Sequence, residues 1–391
     1  MRMRHATTAP DPAAASAIKV AESPAAIDRA EWNALVSASP APSPFLRHEF
    51  LAALDATGCA SARAGWRPRF LTLRRAGRLA AAMPLYAKSH SWGEFVFDWA
   101  WADAYRRHGL AYYPKLVAAV PFTPVAGTRL LAANDDDRRA LLRAAVAMSA
   151  DYSSLHVLFP TREEAALAEN EGLMLRRGVQ FHWTNDGYAS FDDFLATLSH
   201  DKRKKIRQER RKVGEAGVTL RRLVGDEITA ADWRFFYRCH ERTYHARGSE
   251  PYLSLEFFER IGAALPEHML LVLAERDGKP IAVALDLFTP DALYGRYWGA
   301  VEHVPGLHFE ACYYQGIEFA IERGVRVFEG GAQGEHKLAR GFLPVETLSA
   351  HRLTHPEFAQ AVQRFLDRES SGVERYIDEL NEHAPFRRDP A

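Results

Sequence analysis

Apolar residues recur along this chain with two periods, and the order in which the periods appear is itself repeated. Alternation over short runs predicts strands, and three-and-four spacing predicts helices. Residues 1–16 show neither and are expected to form a disordered tail. Beyond them, 17–22 reads as a strand, 25–36 and 47–54 as helices, and 69–75 with 79–86 as a hairpin around Ala76-Gly77-Arg78. Residues 94–98 suggest a third strand. The stretch 103–120 reads as mainly helical with a break near Pro114, and 128–131 as a strand. A helix at 135–150, a strand at 155–159, a helix at 161–171 and a strand at 174–183 follow.

From about Tyr188 the same order starts again. Two basic helices lead to a strand at 218–224, helices at 230–246 and 255–264, and a hairpin of 269–275 with 280–288 around Asp277-Gly278. A strand at 293–298, a helix at 308–323 closed by Gly324, strands at 325–328 and 347–353, and C-terminal helices complete the pattern. The chain therefore reads as two domains, 17–187 and 188–391. Each has strand, two helices, three antiparallel strands, helix, strand, which is the order of the GNAT (acyl-CoA N-acyltransferase-like) fold. The expected architecture is α/β, with two tandem GNAT domains whose mixed sheets are flanked by helices. Ligands in such sheets favour the carboxyl ends of parallel neighbours, here the strands ending near Trp298 and Glu329.

Composition narrows the setting. A chain of 391 residues is long enough for two cores, and its 50 basic and 50 acidic residues create no overall field that demands a nucleic acid or a membrane. Cys59, Cys239 and Cys312 are far apart and form no C-x-x-C pair, so free, mostly buried thiols in the cytoplasm are expected. No apolar run reaches the length of a membrane span, and the start lacks the apolar core of a signal peptide. Neither a metal site nor a bound cofactor is expected.

The densest chemistry lies in 325–342. Glu329, Glu335, His336, Lys337 and Arg340 follow a short apolar strand, and Gly330, Gly331 and Gly334 let the chain turn sharply. Transfer of an acyl group to an amine needs a proton acceptor, donors for the developing oxyanion, and a means of holding both reactants. Glu329, Glu335 or His336 can accept the proton, Lys337 is a fourth catalytic candidate, and Gly330 and Gly331 can offer backbone N–H groups. Tyr297, Trp298, Gln333 and Arg340 are candidate substrate contacts, as are Asp98, Trp99, Trp101 and Lys115 at the corresponding place in the first domain. Lys204, Lys205, Arg207 and Arg211 lie on a basic helix suited to phosphate. Each has a plainer reading: mutually paired helix charges for 335–340, a solvated face for the basic helix, and core packing for the tryptophans. His240, on one face with Trp233, Phe236, Tyr237 and Tyr244, reads as a satisfied core histidine.

The doubled fold, with Leu198 to Val213 opening the second half and Glu335-His-Lys-Leu-Ala-Arg-Gly-Phe342 closing the cleft, resembles the FemABX superfamily of non-ribosomal peptidyltransferases. The runs Ser43 to Phe50, Phe97 to Tyr105, Pro121 to Val125, Leu293 to Trp298, His308 to Gly324 and Gly331 to Gly341 resemble the bacterial family labelled peptidoglycan biosynthesis/recognition. The resemblance implies an acyltransferase acting on a small-molecule or peptide amine, such as a peptidoglycan precursor, with Lys337 touching donor or acceptor. It implies aminoacyl-tRNA as co-substrate; single-unit relatives use acyl-CoA. The long helical arm of some FemABX members has no counterpart here, and the usual CoA pyrophosphate motif is missing, its nearest match being Arg296 to Val301. The alternatives are a CoA-dependent N-acetyltransferase and a non-catalytic binder of muramyl peptide-like ligands.

Overall fold

A computed structural model describes residues 18–331 and 334–387, and the expected tail lies outside them. The first half runs β1 (Ile18–Ala21), α1 (Arg29–Ser37), α2 (His48–Ala56), β2 (Trp66–Pro68), β3 (Phe70–Arg75), β4 (Arg78–Met83), β5 (Leu85–Lys88) and α3 (Trp99–Arg107). It continues with β6 (Lys115–Ala118), β7 (Leu131–Ala132), α4 (Asp135–Met148), β8 (Ser154–Leu158), α5 (Arg162–Asn170) and β9 (Met174–Thr184). The second half opens with α6 (Phe191–Thr197), α7 (His200–Glu215), β10 (Val218–Val224), α8 (Ala230–His245) and α9 (Leu255–Ala264). Then come β11 (Met269–Arg276), β12 (Lys279–Phe288), β13 (Ala292–Ala300), α10 (Leu307–Phe309), α11 (Gln315–Arg323), β14 (Val327–Glu329), β15 (Leu343–Leu353) and α12 (Pro356–Glu382).

The fold is a mixed α/β arrangement of two sheets. One has four strands, in the order β1-β3-β4-β7, and the other eleven, in the order β10-β11-β12-β13-β14-β9-β15-β8-β6-β5-β2. The large sheet passes through both halves by a reciprocal exchange. Strand β9 lies between β14 and β15, while β15 lies between β8 and β9, paired from Leu343↔His182 to His351↔Met174. Two parallel pairs occur, β6 with β8 and β13 with β14, one in each half. Each is bridged by a helical crossover, as parallel neighbours require.

Several expected elements shift for local reasons. The strand expected at 79–86 breaks at Pro84, which lacks a ladder N–H, and its two parts enter different sheets as β4 and β5. Residues 94–98 form no strand, because Glu94 and Asp98 are drawn inward to Lys115. The helix expected over 103–120 stops at Arg107, and Lys115–Ala118 is a strand buried on both faces between β5 and β8. The strand expected at 128–131 is only Leu131–Ala132, since the N–H groups of Arg129 and Leu130 are taken by the Glu164 carboxylate. The helix expected at 308–323 contains a π-helical turn at Glu310–Tyr314.

The largest core joins the halves. Phe45 and Phe50, around the start of α2, meet Tyr294 of β13 and Phe257 of α9 edge to face at 5.2 and 5.3 Å. Helix α8 starts from a Thr229–Asp232 capping box and crosses β13 at Gly299, where a Cβ would stand 2.3 Å from the Cys239 carbonyl oxygen. This close approach sets α8 side chains against the carboxyl end of β13. All three cysteines are free, with Cys59 and Cys239 buried and Cys312 half-buried. Among the described residues no helix is long and apolar enough to cross a membrane, and no group of three or more His, Cys, Asp or Glu side chains could hold a metal ion.

Candidate active site

Strands β13 and β14 stay paired as far as Tyr294↔Glu329 and then part. Gly295, Arg296, Tyr297, Trp298 and Gly331 line the opening, a cleft of about 350 Å³. Helix α8 adds His240, Thr243 and Tyr244, the start of the crossover helix adds His308, and the first half contributes Phe95, Phe122 and Pro124. Two bonds hold these walls together: Thr243 Oγ1 donates to the Trp298 carbonyl (3.1 Å), and Arg296 Nη2 donates to the Phe122 carbonyl (2.7 Å).

Lys337, on a 3₁₀ turn at Glu335–Arg340, reaches the cleft lining through Gly331, donating from Nζ to its carbonyl (2.7 Å). Burial pushes its amine down to about 8, opposed by Cys312. Glu329 lies at the last paired position of β14, with its Oε2 4.0 Å from His182 Nε2 and without a hydrogen-bond partner. Burial lifts its carboxyl to about 8 against the pull of Arg296 and Arg129. His240 and His308 are each driven down to about 4, chiefly by burial, so both rings are neutral near pH 7.

The sequence-predicted residues separate into groups. Tyr297 and Trp298 line the cleft, Lys337 adjoins it through Gly331, and Gln333 lies outside the described residues. Glu335 is exposed and accepts a hydrogen bond from Tyr376 of α12. His336 is exposed, bonded through Nε2 to Tyr313 OH (2.9 Å), its ring 6.1 Å from that of His308. Arg340 is a tie rather than a substrate contact. Its Nη2 meets Glu209 at 2.9 Å, Nε donates to Tyr314 OH, Nη1 donates to the His336 carbonyl, and the guanidinium lies 3.4 Å over Phe309. The Gly330 N–H is donated to the Phe181 carbonyl, so it is not the free donor expected from the sequence.

In the first half, Lys115 is wholly buried and donates to Ser91 Oγ (2.9 Å), Glu94 (2.8 Å) and Asp98. Asp98 is buried with it, and Trp101 packs edge-on against His351. Asp98, Trp101 and Lys115 are therefore internal, a consequence of the strand that replaced the expected helix. Trp99 remains partly exposed beside Trp92. On α7, Lys204, Lys205, Arg207 and Arg211 are all exposed; Lys204, Arg207 and Arg211 share a groove with His200, Arg203 and Gln208. Arg210, on the opposite face, is bound to Glu310 and Glu318.

His240 and His308 line the cleft, and Asp286 lies behind its Gly295 wall, although the sequence marks none of the three as a site residue. His240 is buried as expected, but its Nε2 has no partner, so it is not satisfied by the core. Asp286 is buried at a bulge of β12 with Oδ2 unpartnered, and burial holds its carboxyl far above the usual range. A lone acid inside the apolar run Ile281–Phe288 was the available signal. His308 could have been found from its place at the start of the crossover helix.

Comparisons with known proteins bear on the fold and the family. The structure of FemX superposes with a TM-score of 0.54 at 13% identity, covering 86% of this chain and 98% of that one. The C-terminal domain of a putative lysylphosphatidylglycerol synthetase from Agrobacterium fabrum gives 0.54 at 11% identity, covering 87% and 96%. L-PGS from Bacillus licheniformis gives 0.53 at 11% identity, covering 87% and 97%. At such identities these likenesses show the fold. No curated protein sequence matches. A family model, FemAB_like, described as peptidoglycan biosynthesis/recognition, matches residues 23–388. The chain therefore belongs to the FemAB-like family.

Proposed function

We propose that the protein is an acyl- or aminoacyltransferase that passes an acyl group to an amine acceptor. The observation that carries this reading is the Lys337 amine, buried behind Gly331 of the parted β13–β14 cleft and bonded to that residue's carbonyl rather than to a carboxylate. Below about pH 8 it is a cation, and among the described residues no carboxylate is bonded to it. Such a charge is most useful where negative charge develops, as on the carbonyl oxygen of an acyl group under attack. The neutral rings of His240 and His308 offer further polar contacts in the same opening.

The donor in this reading is an acyl group on a phosphate-bearing carrier, aminoacyl-tRNA or acyl-CoA. The exposed Lys204, Arg207 and Arg211, with half-buried Arg203 beside them, support it, because they lie on α7, whose inner face is tied to the 3₁₀ turn by Glu209–Arg340. A peptidoglycan precursor is the acceptor to try first, given the family. Purified protein should be incubated with aminoacyl-tRNA or acyl-CoA and amine-bearing muramyl peptides, and product followed by mass spectrometry. Transfer should appear in the wild type and fall by about 10²–10³ in Lys337→Met, with the circular dichroism spectrum unchanged. Equal rates for the two would remove Lys337 from the chemistry. No product from any donor would sink the transferase reading.

A further inference from the structure

A second cavity, of about 490 Å³, is lined in part by residues close in sequence to those of the cleft. Three separate segments border both spaces in succession. On β13, Tyr294 faces the second cavity and Gly295–Trp298 the cleft; after β14, Glu329 faces the second and Gly331 the cleft; in 121–127, Ala126 faces the second and Phe122 and Pro124 the cleft. The two spaces are therefore bordered by the same three segments of chain and come nearest at Glu329–Gly331. The opposite wall of the second cavity is the proline-rich α1–α2 connection of the first half, with Arg47 at its end.

We infer that this second cavity binds the acceptor, a primary amine that also carries a carboxylate or similar anion, and that Glu329 receives its ammonium end beside the cleft. This rests on the transferase reading for the word acceptor, but the binding site stands on its own lining. Glu329 Oε2, on one wall of the cavity, has no hydrogen-bond partner among the described residues, and Arg47, whose Nε lies 3.5 Å from Glu49 Oε2, brings a cation to the other wall. Arg326 stands exposed at the rim. Proline, alanine and Tyr294 surfaces between them would cover an aliphatic stem. A two-substrate transferase must hold each reactant separately and bring them together at one point. The seam at Glu329–Gly331 is such a point.

The proton balance is compatible with this placement. As an ammonium ion enters, its charge favours the ionised form of Glu329, whose carboxyl otherwise keeps its proton to about pH 8 because of burial and now releases that proton to solvent. The carboxylate takes one proton from the ammonium. The freed nitrogen forms a C–N bond to the donor carbonyl carbon, the bond from that carbon to its ester oxygen or thioester sulfur breaks, and the second nitrogen proton passes to the departing oxygen or sulfur.

The test uses the whole chain and three probes: 6-aminohexanoate, hexylamine and hexanoate, titrated by calorimetry. The first should bind in the millimolar range, and each single-ended probe should bind about tenfold more weakly. Ala292→Trp and Ala41→Trp fill the cavity from opposite walls, so at least one well-folded variant is expected, and each should lose 6-aminohexanoate binding. Glu329→Gln should weaken 6-aminohexanoate about tenfold and leave hexanoate unchanged. Absence of binding by the wild type, or unchanged affinity in both blocking variants, overturns the assignment. If the protein transfers acyl groups but Ala292→Trp keeps its acceptor KM, the cavity assignment fails and the transferase reading survives. If the blocking variants lose the probe while no donor yields product, the cavity stands and the transferase reading fails.

Discussion

The two parallel strand pairs of this protein share a topology and differ in what fills the gap beyond them. Past β13 and β14 the gap is an open cleft in which His240 Nε2 and Arg296 Nε have no hydrogen-bond partner among the described residues. Past β6 and β8 it is plugged. Arg129 is buried there, donating from Nε to the Leu158 carbonyl (2.8 Å) and from Nη2 to the Val125 carbonyl (2.7 Å). Val117, Ala119, Leu158 and Phe159 pack around the same point. The plugging segment is reused, since Phe122 and Pro124 from it form a wall of the open cleft. A fold repeated within one chain reproduces the gap, and only the side chains decide whether the gap becomes a site.

The sharpest way to break this comparison is to exchange the fates of the two buried lysines. Lys337 bonds to a carbonyl beside the open cleft, and Lys115 bonds to two carboxylates inside the closed half. Lys337→Met should remove about 10²–10³ of the transfer rate and leave folding intact. Lys115→Met should leave Glu94 and Asp98 buried without their cation and lower stability by about 3–5 kcal/mol, measured by urea denaturation. A Lys115→Met protein as stable as wild type, yet without transfer, would mean that the closed half holds chemistry after all.

This division was only half legible in the sequence. The repeated order of elements, both hairpin turns and the place of Lys337 follow from periodicity, Gly positions and a local motif. The exchange of β9 and β15 does not, because alternation marks a strand without naming its neighbour. Lys115 was misplaced because an aromatic and acidic run with helical spacing precedes it, whereas burial between β5 and β8 decides its conformation. Arg340 and Glu209 are 131 residues apart, so only the folded chain shows that they neutralise each other.

A smaller effect sharpens the open side. Unfolded Glu329 loses its proton near 4.5, and the folded carboxyl holds it to about 8. Between those values the folded state binds more protons, so this group's contribution to stability falls as pH rises from about 4.5 to about 8. Glu329→Gln removes that slope. Its Tm relative to wild type should therefore be higher at pH 8 than at pH 5, by roughly 1 °C for each kcal/mol recovered. Parallel melting curves for the two proteins at both pH values would show instead that Glu329 is solvated.

The smallest expected effect separates two neighbours on the same turn. Glu335 and Lys337 are two positions apart, and both belong to the charged run that the sequence marks as catalytic. The 3₁₀ turn sends them in different directions: Lys337 inward to Gly331, Glu335 outward to Tyr376 on α12. An exposed carboxylate bonded to a tyrosine hydroxyl away from the cleft cannot receive a proton from a substrate held at the β13–β14 gap. Glu335→Gln should therefore keep kcat and KM within about twofold of wild type, since an exposed contact of this kind contributes under about 1 kcal/mol. A hundredfold loss of kcat in that variant, with unchanged folding, would place the proton acceptor on the outer face of the turn and require α12 to move during turnover.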